Sequence, residues 1–424
     1  MKRTALALTL TLLLLFSAIA PFHFFETVGA EIVTIPDDYS TIQEAINAAN
    51  NGDTIFIKKG NYDGPVDQTV IINKSVSLVG EDAENTRINF HPLWVEAWYF
   101  SPSYYEPPME ITANDVMVSG LAITSDGSSI YIAGNRTRIT SCIIKTGLRV
   151  DAGFYNEITE NTLSGVSCHG SYCLIKANNF EAGGIDIDGF YHLVQGNTVT
   201  NAGNRSTGIN LKASNTIIFN NTVKRNYGGI SITYEGSNNL IYSNSIIHNV
   251  YGFTAWGGNN NTFFANELVD NTIGAEVGYM VGSPTNCRLH HNNFIGSIQQ
   301  VSTRSSWTYI PGLWSEPFNQ TGLFDDSREG NYWSDYVGTD SDGDGKGDNP
   351  YVIDSDRKDN HPLMSPFDIS SASISDAFPN IENENESEHF PTTLLLASVI
   401  TVAVVSIGLL VYFKKRKVRS GNKT

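Results

Sequence analysis

The sequence predicts an all-β fold, a parallel β-helix (solenoid) with a short N-terminal capping helix and a single C-terminal transmembrane helix, on three observations. First, one short phrase recurs between Gly147 and Gly296: an apolar residue, two variable residues, Asn, one more residue and a second apolar residue. Asn161, Asn178, Asn197, Asn221, Asn244, Asn266 and Asn292 occupy its centre, at steps of 17, 19, 24, 23, 22 and 26 residues, which is repeat-architecture spacing. Second, between these copies a Gly introduces two apolar residues one apart, as in Leu148/Val150, Val166/Cys168, Ile185/Ile187 and Ile209/Leu211. Such period-two alternation marks half-buried strands with these residues inward. Third, nothing between the strands is long and periodic enough for a crossover helix. Short strands joined only by turns stack in parallel by coiling, each coil about 4.8 Å above the last. At that spacing the Asn side chains can bond to one another as a ladder. Ile139-Thr-Ser-Cys142-Ile-Ile144 is an eighth copy, with Cys in the Asn slot.

The elements follow in chain order. Lys2-Arg3, the apolar run from Ala5 to Ala20 and the small residues Val28-Gly-Ala30 read as a signal peptide over 1–30. A body over 31–368 follows, with an N-terminal cap (31–62), regular coils (110–296) and a C-terminal cap (297–368). Within the first cap, Ile32 to Pro36 is a first strand and Ser40-Thr-Ile-Gln43 is a capping box. Ile42, Ala45, Ile46 and Ala49 then trace one face of a helix of about three turns. That helix is placed to cover the open end of a solenoid. Phe90 to Met109, rich in Trp and Tyr and closed by Pro107-Pro108, is an excursion over one flank. Trp307, Trp314, Tyr332 and Trp333 are placed to cover the far end. A Ser-, Asn- and Glu-rich stretch over 369–391 is an acidic stalk. Thr392 to Phe413 carries no charge and is followed by Lys414-Lys-Arg-Lys417. Its length suits a bilayer, and the basic tail over 414–424 would stay in the cytoplasm with the body outside.

Charge narrows the partners. The chain carries −17. Setting aside the eight basic residues of leader and tail, and Glu26, leaves 19 basic against 43 acidic residues, or −24. Such a surface repels nucleic acid, which is excluded as a partner, and attracts cations. Seven Asn-x-Ser/Thr sequons (Asn73, Asn135, Asn204, Asn220, Asn260, Asn319 and Asn385) fit an exported glycoprotein, although an Asn-rich repeat generates sequons by chance. Cys142, Cys168, Cys173 and Cys287 allow up to two disulfides, or serve as small buried apolar residues.

Two sites carry candidate chemistry. Asp340-x-Asp342-x-Asp344-Gly345, with Asp348 eight residues after the first Asp, has the acidic spacing of a calcium loop and predicts a structural Ca²⁺. Position twelve is Tyr351, so the bidentate Glu of an EF-hand is missing. The second site is geometric. If the period-two residues point inward, their neighbours form two outward columns. One holds Asp151, His169, Asp188, Lys212, Thr233 and Trp256; the other holds Arg149, Ser167, Asp186, Asn210, Ser231, Thr254 and Glu276. Asp186 and Asp188 would then lie roughly 7 Å apart on one face, within the range of paired glycosidase carboxylates. Lys212 would sit one coil away. Asp151, His169 and Trp256 would bind ligand, Trp256 by stacking on a sugar ring. An ordinary polar sheet face is the plainer reading of the same columns.

The opening Ile35-Pro-Asp-Asp-Tyr-Ser-Thr-Ile-Gln-Glu-Ala-Ile-Asn-Ala-Ala-Asn-Asn-Gly-Asp-Thr-Ile55 with Gly60-Asn-Tyr62 is similar to the capping segment of the pectin-lyase-like superfamily. Gly330-Asn-Tyr-Trp-Ser-Asp-Tyr336, Asp340 to Gly345, Asn349-Pro-Tyr351 and Pro362-Leu-Met364 resemble the C-terminal cap of NosD-like archaeal surface proteins. With the Asn array, residues 31–368 resemble the NosD-like right-handed parallel β-helix family of carbohydrate-binding and sugar-hydrolase-type repeats. The resemblance implies the fold. Function does not follow from it, because this architecture hosts lyases, hydrolases, adhesins and proteins without known activity. Polygalacturonase-type hydrolases carry an Asp pair beside their His-Gly, and here His169-Gly170 stands without one. The resemblance also implies a copper-accessory role. Copper wants soft or imidazole ligands, and the sequence shows no His or Met cluster beyond His290-His291. The expected function is therefore a membrane-anchored cell-surface protein that binds carbohydrate or surface partners. The rivals are a polysaccharide lyase or hydrolase using Asp186, Asp188 and Lys212, and a NosD-type copper accessory.

Overall fold

The computed structural model describes residues 30–372, except 93, 96–103, 126, 204, 234, 278–285 and 304–323. The expected signal peptide, most of the stalk, the membrane span and the basic tail lie outside the described residues. So do Trp307 and Trp314. No described helix is long and apolar enough to cross a membrane.

The body is a parallel β-solenoid. Its face A stacks 12 strands from Ile32–Ile35 to Arg288–His290, all parallel. A second sheet of 21 strands folds into two further faces. Face B follows the Asn corner, as in Thr198–Thr200, Thr222–Lys224 and Ser245–Ile247. Face C precedes the return to face A, as in Ile185–Ile187, Thr207–Leu211, Gly228–Ile232, Tyr251–Ala255 and Ile273–Val277. The strands Ile143–Val150 and Thr162–Cys168 run through both faces and join them. Inward residues of all three faces form one apolar core, and every period-two residue expected to point inward is buried.

Each corner is built the same way. The residue before each of the seven predicted ladder Asn has left-handed backbone: Glu160, Ala177, Gly196, Asn220, Ser243, Ala265 and His291 have φ between 50° and 64°. For residues with a Cβ this conformation costs energy, and the bonds made by the next residue offset it. The Asn ladder forms as expected. Each Asn Oδ1 accepts from both the backbone N–H and the Nδ2 of the Asn one coil below, from Asn178 onto Asn161 (3.0 and 3.0 Å) up to Asn292 onto Asn266 (2.9 and 3.0 Å). It ends below at Cys142, whose N–H donates to Asn161 at 2.9 Å. At its upper end it runs one step beyond the predicted copies, to Asn331. Two shorter ladders occupy the other corners: Asn226, Asn249 and Asn271 in one, and Asn239 and Asn261 in the other.

At the first coil, helix α1 spans Ile42–Ala48 and buries Ile42, Ala45 and Ile46. Both its length and its cap differ from expectation. The N-cap is Thr41, paired reciprocally with Glu44, because Glu44 gives the stronger charged acceptor and Gln43 instead bonds Asn47 and Ile71. Trp94–Val95 and Tyr104–Tyr105 of the aromatic excursion pair as a small antiparallel hairpin. At the other end Trp333 is buried between Phe294 and Tyr351, stacked at 4.4 and 4.3 Å, and seals the last coil. Past that cap the chain turns back as a strap. Asn293 and Phe367 exchange two hydrogen bonds of 2.8 Å, Phe367 packs on Phe264 and His291, and Ser243 Oγ donates to Ile369 O at 2.9 Å.

Candidate functional site on face C

Strand register on face C places one predicted outward column in line. Arg149, Ser167, Asp186, Asn210, Ser231, Thr254 and Glu276 are successive partners from coil to coil. A groove of about 350 Å³ lies on it, lined by Asp186, Asn210, Ser231, Thr233 and Trp256 and floored by Gly184 and Ile185. Asp186 accepts from Asn210 Nδ2 at 2.7 Å and faces Lys212 Nζ at 3.5 Å. Trp256 Nε1 donates to Glu276 at 3.3 Å, which fixes the plane of the indole at one wall.

The two predicted carboxylates do not share this groove. Asp188 is exposed just past its strand and accepts from its own neighbour, Gly189 N, at 2.7 Å. The groove thus contains one carboxylate, an amide, four hydroxyls (Ser206, Thr207, Ser231 and Thr233) and an indole, with Lys212 paired to the carboxylate from beside it. Asp151 and His169 lie lower on the face. Hydrogen bonds from Arg149 and then Tyr131 hold the Asp151 carboxyl down at about 2. His169 Nδ1 faces Asp151 at 3.4 Å and its Nε2 faces Ser167 Oγ at 3.0 Å. Carboxylate, imidazole and hydroxyl thereby stand in the order of an acyl-transfer triad. Among the described residues no oxyanion pocket accompanies them, since strand amides are used in the inter-coil ladder and the next residue in line is Asp186. A developing oxyanion would meet a carboxylate.

Three clusters among the described residues bring potential metal donors within 4.8 Å of one another: Asp340, Asp342 and Asp344; His290, His291 and Asp326; and Cys168, Cys173 and His192. In the acidic loop, Asp340 accepts from the N–H groups of Gly343, Asp344 and Gly345, with both glycines at positive φ. Asp344 pairs with Lys346 at 2.9 Å. Asp348 stands apart from the three, its carboxylate taken by Thr339 and Ser341 at 2.7 Å. His290 and His291 face each other through Nδ1 at 2.8 Å, and burial pushes His290 down to about 4.

The third cluster was not legible in the sequence. All four cysteines are buried. Cys168 ends a face C strand, Cys173 follows the corner of the same coil, and His192 repeats the place of Cys173 one coil on. The only signal was positional: His192 falls in the corner column that elsewhere carries Asn156, Thr216, Asn239 and Asn261. The corner residues just outside it, Tyr155, Tyr172 and Tyr191, stack at 4.9 and 5.1 Å. Phe154 and Phe190 beside them are about half exposed.

A family model described as "Periplasmic copper-binding protein (NosD)" matches residues 108–338. Among solved structures, the PL6 family alginate lyase AlyGC is similar at 14% identity and a TM-score of 0.44, over 65% of this chain and 50% of that one. The present chain therefore spans half of the lyase's length. The A-module of the Azotobacter vinelandii mannuronan C-5 epimerase AlgE6 is similar at 11% identity and a TM-score of 0.45, over 62% and 92% of the two chains. The catalytic domain of a GH87 α-1,3-glucanase is similar at 13% identity and a TM-score of 0.41, over 65% and 68%. A search of curated proteins finds no match.

Proposed function

Because the chain belongs to the family described as periplasmic copper-binding protein (NosD), we propose a function for a β-solenoid of that kind: an exported, membrane-anchored surface protein that binds carbohydrate along face C. The observation that carries this reading is the groove walled by Trp256. An indole held edge-on by Glu276 offers a face to a sugar ring, while Asp186, Asn210, Ser231 and Thr233 offer hydroxyl partners. Phe154, Tyr155 and Phe190 expose further aromatic surface at the corner that follows face C. Retention fits better than cleavage, because most glycosidases pair two carboxylates and the groove is lined by Asp186 without Asp188, which accepts from Gly189 N.

The full chain, offered immobilised neutral and acidic polysaccharides, should retain at least one. Trp256→Ala should weaken that retention by tenfold or more, while Asp188→Asn should leave it unchanged. Depolymerisation that disappears with Asp188→Asn would replace this reading by the hydrolase one. In the same reading a structural Ca²⁺ sits among Asp340, Asp342 and Asp344.

A second reading takes up the copper in the family description. It is favoured by the buried cluster of two thiols and an imidazole, a softer donor set than any the sequence alone displayed.

A further inference from the structure

We propose that Cys168, Cys173 and His192 form a three-coordinate Cu(I) site one layer beneath the stacked Tyr155–Tyr172–Tyr191 corner; this deepens the copper reading above and rests on it. The three side chains are 0%, 1% and 2% exposed, and their donor atoms lie within 4.8 Å of one another. Cys168 Sγ stands 4.0 Å from His192 Nδ1. Ligands at about 2.0–2.3 Å from an ion stand about 3.5–4 Å apart in a trigonal plane. Small rotations of the side chains would therefore close the set.

The imidazole is already oriented for this role. His192 Nε2 lies 2.8 Å from Asp188 O, a carbonyl that can only accept, so the proton is on Nε2. That leaves the Nδ1 lone pair toward the thiols, the arrangement in which a backbone carbonyl fixes the tautomer of a metal-ligating His. In the fold His192 Nδ1 also accepts from Cys173 N at 3.3 Å. Asn or Thr does that work elsewhere in the column: Asn156 accepts from Thr137 N at 2.8 Å and Asn239 from Thr216 N at 2.9 Å. The ladder alone thus calls for no imidazole. Nor does the core alone call for Cys168, since the equivalent inward places on neighbouring coils are Val150, Ile187, Leu211 and Ile232. One coil boundary combines these two departures with Cys173.

Two sulfurs and one nitrogen suit soft, low-coordinate Cu(I). Zn²⁺ takes four ligands in structural sites, and among the described residues no fourth donor joins this cluster. Binding exchanges thiol protons for the ion and requires no redox step.

The test uses the reduced full chain under anaerobic conditions, titrated with Cu(I) against a bicinchoninate competitor. One equivalent should be retained, with a near-ultraviolet thiolate-to-copper band. His192→Asn and Cys173→Thr reproduce residues the column already uses, so they should keep the melting midpoint while lowering Cu(I) affinity by at least tenfold. Cys287→Ser should change neither. Failure of the parent chain to retain Cu(I) overturns the site and the copper reading together. Retention that survives both variants overturns the site alone and moves the copper elsewhere. Displacement of Cu(I) by equimolar Zn²⁺, or isolation of the chain with Cys168 and Cys173 cross-linked, also overturns it.

Discussion

Asp359 shows how much one side chain can decide at the end of a ladder. It is fully buried; its Oδ2 accepts from Asn331 N at 2.7 Å and Trp333 Nε1 at 2.8 Å, and its Oδ1 from His361 N at 3.0 Å. Gly330 is obligatory beside it, since a Cβ there would lie 1.8 Å from Asp359 Oδ1. Burial pushes this carboxyl up to about 7, above the ordinary value near 3.9 of an unfolded chain. The folded protein therefore holds an extra proton between about pH 4 and 7. The contribution of this one group to stability is greatest below that window and falls as pH rises through it, by on the order of 4 kcal/mol at most. His290, held down at about 4, contributes the opposite slope below about pH 6.5, so the difference between chains is the readout. The parent should lose more melting temperature across the window than Asp359→Asn does, and equal slopes would show that Asp359 does not titrate there. Neither Asp359 nor His192 was legible in the sequence. Each is a single residue whose meaning comes from a neighbour in the next coil or across the cap, and such contacts leave no local period.

The Asn corner lies at the opposite extreme. Its repeat is local, so the ladder and the inward strands could be read directly, and the register followed from them. The left-handed residue before each Asn escaped notice because Glu, Ala, Gly, Asn, Ser and His all fill it. The second ladder had a usable signal: Asn226, Asn249 and Asn271 each follow a main-ladder Asn by five residues. Energetically the corners should behave as coupled units. Asn244 accepts two bonds from Asn221 and donates to Ile218 O and Tyr242 O. Asn244→Ala leaves these buried partners unsatisfied and should cost about 2–4 kcal/mol in urea denaturation. A loss below about 0.5 kcal/mol would mean that water replaces the amide at no cost.

For the molecule as a whole, the groove on face C could be anticipated as two columns because a solenoid converts sequence period into surface position. Which column members line the groove was a matter of side-chain direction: Asp186 does and Asp188 does not. A solenoid is stabilised mainly by contacts between neighbouring coils, so each end has to be closed by a cap. Ca²⁺ in the Asp340–Asp344 loop would act on the C-terminal end, and its removal by chelator should lower the melting midpoint of the body. An unchanged midpoint would argue that Lys346 already supplies the cation. The strap from Phe367 to Ile369 alters how load would enter this stack. A chain pulled from beyond Ala372 would not peel the last coil open bond by bond like a zipper. The load would first reach the Asn293–Phe367 pair and Ser243 on an earlier coil, spreading it as shear over several coils. The terminal fastening is thus a clasp on the flank of the spring, and the end of the coil is spared the first pull.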